Sequence, residues 1–317
     1  MIKKILFGLL ITTSALAFTP PKVVTATIGF APGSGNEISF REVALLAEKN
    51  NPGINFIINN KPGADEIIGL DYFGKLEPRG DNIYIVSQNN FGMIETWFPG
   101  RLKYNLMDLA LVTGIAKSPL CIVATASSPT STPKELLDRI KNTTTPITFG
   151  LGSAGQRIVF EYIMEKTHGN ADQVKSILYK GPGPVMQDLA GGQIEFAIVP
   201  TAVAAPIVKT GRVKFIAITS EHKLALIPNV PLMKDYVKDL NFYAAWGIAL
   251  PIGSTPEQIE YYKNLFVPVI QSQEAKEYFD NNMMITFPDE HTPEGFKRAI
   301  NASREKWLPY IIKFKPE

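Results

Sequence analysis

The sequence predicts an α/β protein with mainly parallel sheets in two lobes and a ligand cleft between them. Strand, turn and helix patterns alternate through most of the chain, which is the signature of parallel βα units. A glycine-rich loop joins strand to helix once in each half, at Ala31–Asn36 and Gly150–Gly155. With 317 residues, 45% of them hydrophobic and 20% charged, the chain is long enough for about two domains with ordinary cores.

The elements follow in order. Val23–Phe30 alternates as a strand, Ala31-Pro32-Gly33-Ser34-Gly35-Asn36 turns, and Phe40, Val43, Ala44 and Ala47 mark a helix face. Asn55–Asn60 is a strand, Lys61-Pro62-Gly63-Ala64 a turn, and Asp65–Glu77 a helix closed by Pro78-Arg79-Gly80. Ile83–Ser87 is a strand whose carboxyl end carries the polar cluster Gln88-Asn89-Asn90, a loop able to face a ligand. Two apolar runs, Leu109–Ala116 and Leu120–Thr125, are separated by Lys117-Ser118-Pro119, and Ser118-Pro119 is the candidate first crossover between lobes. Thr132, Pro133 and Glu135 open a helix as a capping box. Strands follow at Ile147–Phe149, Ser176–Tyr179, Ile194–Val199, Val213–Thr219 and Trp246–Leu250, then helices capped at Thr255 and over Thr292–Trp307. The expected division is 18–118 with 226–317 in the first lobe and 119–225 in the second.

Ile147–Met164 is the most informative stretch: a short strand, a loop with Gly150, Gly152 and Gly155, then Val159, Tyr162 and Ile163 at helical spacing. Glycines let a backbone approach a ligand closely, and the free N–H groups of the following helix favour an anion. The GxGxxG spacing also fits a dinucleotide site, but the next strand ends in Lys180-Gly181, not in the acid that holds a ribose. A serine-hydrolase elbow around Ser153 fails because position 151 is leucine.

Lys3 and Lys4, the apolar run Ile5–Ala17 and the Ala15-Leu16-Ala17 site read as a cleavable secretory signal over 1–17, with cleavage after Ala17 and a soluble periplasmic product. The run is shorter than the roughly 20 residues of a membrane span. Removing its two lysines from 32 basic residues leaves 30 against 30 acidic ones, a neutral chain with no basic cluster for nucleic acid. Cys121 is the single cysteine and reads as a small core residue. His168, His222 and His291 read as surface-loop or helix-end residues, and none has metal-ligand spacing with another. Neither a cofactor nor a metal is expected.

Several blocks, in order, resemble the extracytoplasmic receptors of tripartite tricarboxylate transporters, the TctC/Bug family. They are Phe30-Ala31-Pro32-Gly33-Ser34-Gly35-Asn36-Glu37; Asn60-Lys61-Pro62-Gly63-Ala64 with Ile68-Gly69 and Pro78-Arg79-Gly80; and Tyr179-Lys180-Gly181 with Asp188–Gln193 and Glu195. Thr219-Ser220, Pro228-Asn229-Val230-Pro231, Pro251, Gly253, Thr255 and Pro256 complete the set. The resemblance implies a type II periplasmic binding protein-like fold that holds a ligand carboxylate and delivers it to a permease of one large and one small integral-membrane subunit. A monomer is expected.

By position, Phe30, Ala31, Gly33, Ser34, Gly35 and Asn36 would line one wall of the cleft and Ser153, Ala154, Gly155, Gln156 and Arg157 the other. Gln88, Asn89, Gly181, Pro200 and Thr201 join them as candidate ligand-binding residues. Gln156 and Arg157 stand where the family has small hydroxyl residues, Val159 where it often has histidine, and Val199 where aspartate is frequent. A guanidinium at Arg157 could pair with a carboxylate, or turn to solvent and pair with a nearby acid. Losing the aspartate at Val199 would disfavour a ligand amine. The rival functions are an enzyme using the Gly150–Gly155 loop and a receptor that signals to a sensor partner without feeding a permease.

Overall fold

The computed structural model describes residues 18–315; the expected signal segment lies outside them. The chain opens with β1 (Val23–Ile28), α1 (Gly35–Asn50), β2 (Asn55–Asn60), α2 (Ile67–Phe73), β3 (Asn82–Ser87) and α3 (Asn90–Trp97). A long strand, β4 (Ala110–Thr125), leads to α4 (Pro133–Asn142), β5 (Ile147–Leu151), α5 (Ala154–Thr167), β6 (Val174–Leu178) and α6 (Pro182–Ala190). Then come β7 (Phe196–Pro200), α7 (Thr201–Val208), β8 (Val213–Ile218), β9 (Tyr243–Leu250), α8 (Pro256–Ile270), α9 (Gln273–Asn281) and α10 (Pro293–Lys313).

The strands are ordered β2-β1-β3-β9-β4-β7-β5-β6, with β8 on the other side of β4. Two equivalent halves emerge, β2-β1-β3-β9-β4 and β6-β5-β7-β4-β8. In each, the first three strands pair in parallel and the remaining ones run antiparallel. This is the two-lobed type II arrangement. β4 serves both halves: Ala110–Pro119 pair with β9, and Leu120–Thr125 pair with β7 and β8.

The two apolar runs expected around Lys117-Ser118-Pro119 are therefore one strand. Pro119 sits where β4 exchanges β9 for β7, a point at which a missing N–H costs least. Residues 226–242, expected in the first lobe, pack instead on the second: Leu232 joins Cys121, Val199 and Ile218, while Met233, Val237 and Leu240 join Phe149 and Phe196. The chain returns only at β9. Pro231 O accepts the Ile218 N–H at 3.0 Å and Leu232 bridges Ile218, so this segment runs alongside β8.

Helix starts follow local chemistry. Thr132 and Thr255 each accept an N–H from the residue three positions on, Glu135 and Gln258, whose side chains reach back in reciprocal capping boxes. The expected helix over Asp65–Glu77 is shorter, because Ala64, Asp65 and Glu66 have φ of 46°, 54° and 80° and α2 begins only at Ile67. Acids are common in a first helical turn, so nothing local excludes these two from one.

Candidate functional site

The two glycine loops adopt matching geometry. Ser34 precedes α1 and Ser153 precedes α5, both extended. In the first loop the Gly33 N–H donates to Glu37 Oε2 at 3.2 Å; in the second the Gly152 N–H donates to Gln156 Oε1 at 2.5 Å. Each loop is thus braced by a long side chain on the first helical turn reaching back four residues. Gln156, which departs from the family pattern, has this bracing role. Glu37 is further held by Arg41 and by Asn60 Nδ2 at 3.3 Å.

A cavity of about 30 Å³ lies between the loops. Five helix starts meet at its wall: Gly35 and Asn36 of α1, Asn89 and Asn90 of α3, Ser153, Gly155 and Gln156 of α5, Pro182 of α6, and Pro200 before α7. The remaining lining is Phe30, Ser87, Leu120, Phe242, Ala244 and Trp246. None of these side chains is charged. A helix start carries roughly half a positive charge, and although Ser34 takes the Glu37 N–H and Asp65 the Ala154 N–H, five such starts on one wall favour an anion without a cation in the lining. Such a site holds an anion by dipoles and hydrogen bonds, for which the Asn89 amide and the Ser153 hydroxyl are the side-chain donors, since the Asn36 amide donates to Ile85 O and Ser87 Oγ and the Asn90 amide to Glu66.

The sequence-derived candidates divide by position. Phe30, Gly35, Asn36, Asn89, Ser153, Gly155, Gln156 and Pro200 line the cavity. Ala31 and Gly181 lie where the lobes touch: Ala31 N–H donates to Lys180 O at 3.0 Å, and a Cβ on Gly181 would stand 3.3 Å from Ala31 N. Gly33 and Ser34 shape the first loop, Ser34 Oγ accepting the Glu37 N–H. Thr201 is buried against Ser118, Oγ to Oγ1 2.8 Å apart. Gln88 is buried facing a separate pocket behind the crossing strands, with Lys117, Tyr243 and Glu290.

Arg157 lies over Trp97, 5.6 Å from its centroid, and 3.7 Å from Glu161. Val159 and Val199 are fully buried in separate cores. Val199 therefore does not bear on the cavity's preference for or against an amine. His291, expected at the surface, is buried with Nδ1 2.9 Å from Gln271 Nε2.

Sequence reasoning missed two acids. Asp65 Oδ1 accepts the Ala154 N–H at 3.0 Å, linking the turn after β2 to the start of α5 across the cleft. Burial raises Asp65 to about 6 against the lowering pull of that N–H and of Arg157. Glu66, 1% exposed, lies beside Tyr84 and accepts from Asn90 Nδ2 at 2.6 Å; burial raises it to about 8. The only sequence signal was an acid pair directly after the Pro-Gly turn. Ser87, Leu120, Phe242, Ala244 and Trp246 were also missed, because β4 and β9 deliver most of them and strand crossing is not written in local periodicity.

The sequence profile of the tripartite tricarboxylate transporter family receptor, TctC, matches residues 39–312. The chain belongs to that family. BugT of Bordetella pertussis is 22% identical over 281 residues, covering 86% of this chain and 85% of BugT. The periplasmic binding protein BugD superposes with a TM-score of 0.86 at 20% identity, over 93% of this chain and 98% of BugD. MatC of Rhodopseudomonas palustris with bound malate gives 0.83 at 17% identity, over 91% and 98%. This TctC-family chain thus has the family's solute-receptor fold. Among the described residues no helix is long and apolar enough to cross a membrane.

Proposed function

We propose that this chain is a periplasmic receptor that captures a small organic carboxylate between its lobes and delivers it to a permease of one large and one small membrane subunit. The observation that carries the reading is the meeting of five helix starts on a cavity wall without a charged side chain. A carboxylate suits such a wall because its lone pairs match several N–H and amide donors at once. A bound malate in MatC is in keeping with this chemistry.

Capture is by closure. The Ala31–Lys180 and Asp65–Ala154 hydrogen bonds join the lobes across the cavity, and β4 and β9 are the strands about which they would open. The receptor acts as a monomer and performs binding, not chemistry. Cys121, the most nucleophilic type of side chain, is buried in the second lobe, where desolvation pushes its thiol far above the usual range.

A thermal-shift screen of residues 18–317 against mono-, di- and tricarboxylates, aromatic acids, amino acids and NAD tests the reading. A carboxylate at 100 times its dissociation constant should add about 2.7 kcal/mol of stability, a rise of a few degrees. Stabilisation by NAD alone would refute it.

A further inference from the structure

Asp65 belongs to the first lobe but serves the second. The turn Gly63-Ala64-Asp65-Glu66 has positive φ at all four residues. Three of them carry a Cβ, which disfavours this backbone by crowding the following carbonyl oxygen. A chain keeps that conformation only where its surroundings fix it. Here Glu66 provides the anchor, its carboxyl group held by Asn90 and its stem packed under Gly29 and Tyr84. The result is to hold Asp65 against the start of α5.

At that start the usual cap is missing. Ser34 caps α1 with its hydroxyl, whereas Ser153, the equivalent residue of α5, makes no side-chain cap. The Asp65 carboxylate, supplied from the other lobe, takes the Ala154 N–H instead. The neighbouring cation, Arg157, lies near Glu161 and over Trp97 and does not line the cavity. A second anionic group entering beside α5 would meet Asp65, which stands just behind the lining at the Ala154 N–H, and the one cation acting on Asp65, Arg157, is shared with Glu161. The cavity volume of about 30 Å³ is room for roughly two water-sized groups, the size of one carboxyl head.

We propose that Asp65 is a specificity-determining residue, an internal carboxylate that occupies the α5 anion position on closure and restricts the receptor to small monocarboxylates, rejecting di- and tricarboxylates. This rests on the carboxylate reading above and names its substrate class.

The test is titration calorimetry at pH 7.5 of the wild type, Asp65→Asn and Asp65→Gly with acetate, propionate, lactate and benzoate against succinate, malate and citrate. Asparagine and glycine both tolerate the left-handed backbone, so either variant should fold, as circular dichroism will show. The wild type should bind its best monocarboxylate at least ~10-fold tighter than any di- or tricarboxylate, about 1.4 kcal/mol. Both variants should narrow that gap at least tenfold. A wild type that takes a dicarboxylate as tightly as a monocarboxylate overturns the proposal, as does an unchanged gap in both variants, and either result leaves the carboxylate reading standing. A wild type that binds none of the panel overturns both.

Discussion

Glu66 shows how one side chain can bind local strain to pH. In the fold its carboxyl is raised from 4.5 to about 8, first by burial, while the Asn90 bond pulls it down and the Asp65 charge pushes it up. The folded chain therefore keeps a proton through neutral pH that the unfolded chain has released. With the folded value raised, stability is full below about 4.5 and falls as pH rises towards 8. Asp65, raised to about 6, acts with the same sign in a lower window. Glu66→Gln keeps an acceptor for Asn90 and has no proton to lose. Its melting temperature should exceed the wild type's by several degrees at pH 8.5, with the two curves converging by pH 5. Melting curves that stay parallel from pH 5 to 9 would show that Glu66 is not held neutral. The sequence placed this acid in a helix, since nothing in Gly63-Ala64-Asp65-Glu66 distinguishes a first helical turn from a run of left-handed residues fixed by a distant Asn90 and Tyr84.

At the scale of elements, the glycine loops were legible because strand ends, glycines and helical spacing are all local. The bracing of Gly33 by Glu37 and of Gly152 by Gln156 was not, although both pairs are four residues apart. What could not be read was how α6 meets the first loop. A Cβ on Gly183 would stand 2.5 Å from Pro32 O, a contact between the backbones of opposite lobes. Gly183→Ala should leave each lobe intact yet hold them apart. Gly183 lies in the first turn of α6 without a positive φ, so alanine is tolerated locally and the melting temperature should not fall. Affinity for any ligand captured by closure should drop at least ~10-fold, about 1.4 kcal/mol, read by calorimetry beside a melting curve. Full affinity in this variant would mean that the closed contact between Gly183 and Pro32 is not part of the bound state.

For the whole molecule, the alternation of strands and helices was enough to give the α/β class, and the ordered family blocks gave the two-lobed receptor. The sharing of β4 between both halves of the sheet was hidden, since an unbroken strand and two short runs look alike around Pro119. The division we propose is 18–119 with 243–315 against 120–242, with α10 spanning the join: its Trp307 and Ile311 pack with Trp97 of α3 and Phe242. In this arrangement the helix starts of both lobes converge on one uncharged wall, and the carboxylate reading proposed above makes negative charge on the ligand the feature that this wall recognises. Calorimetric titration of residues 18–317 with the best-binding carboxylate and with its uncharged primary amide tests this most directly. The account predicts that the amide binds at least ~100-fold more weakly, a difference of about 2.7 kcal/mol. Equal affinities for acid and amide would contradict it.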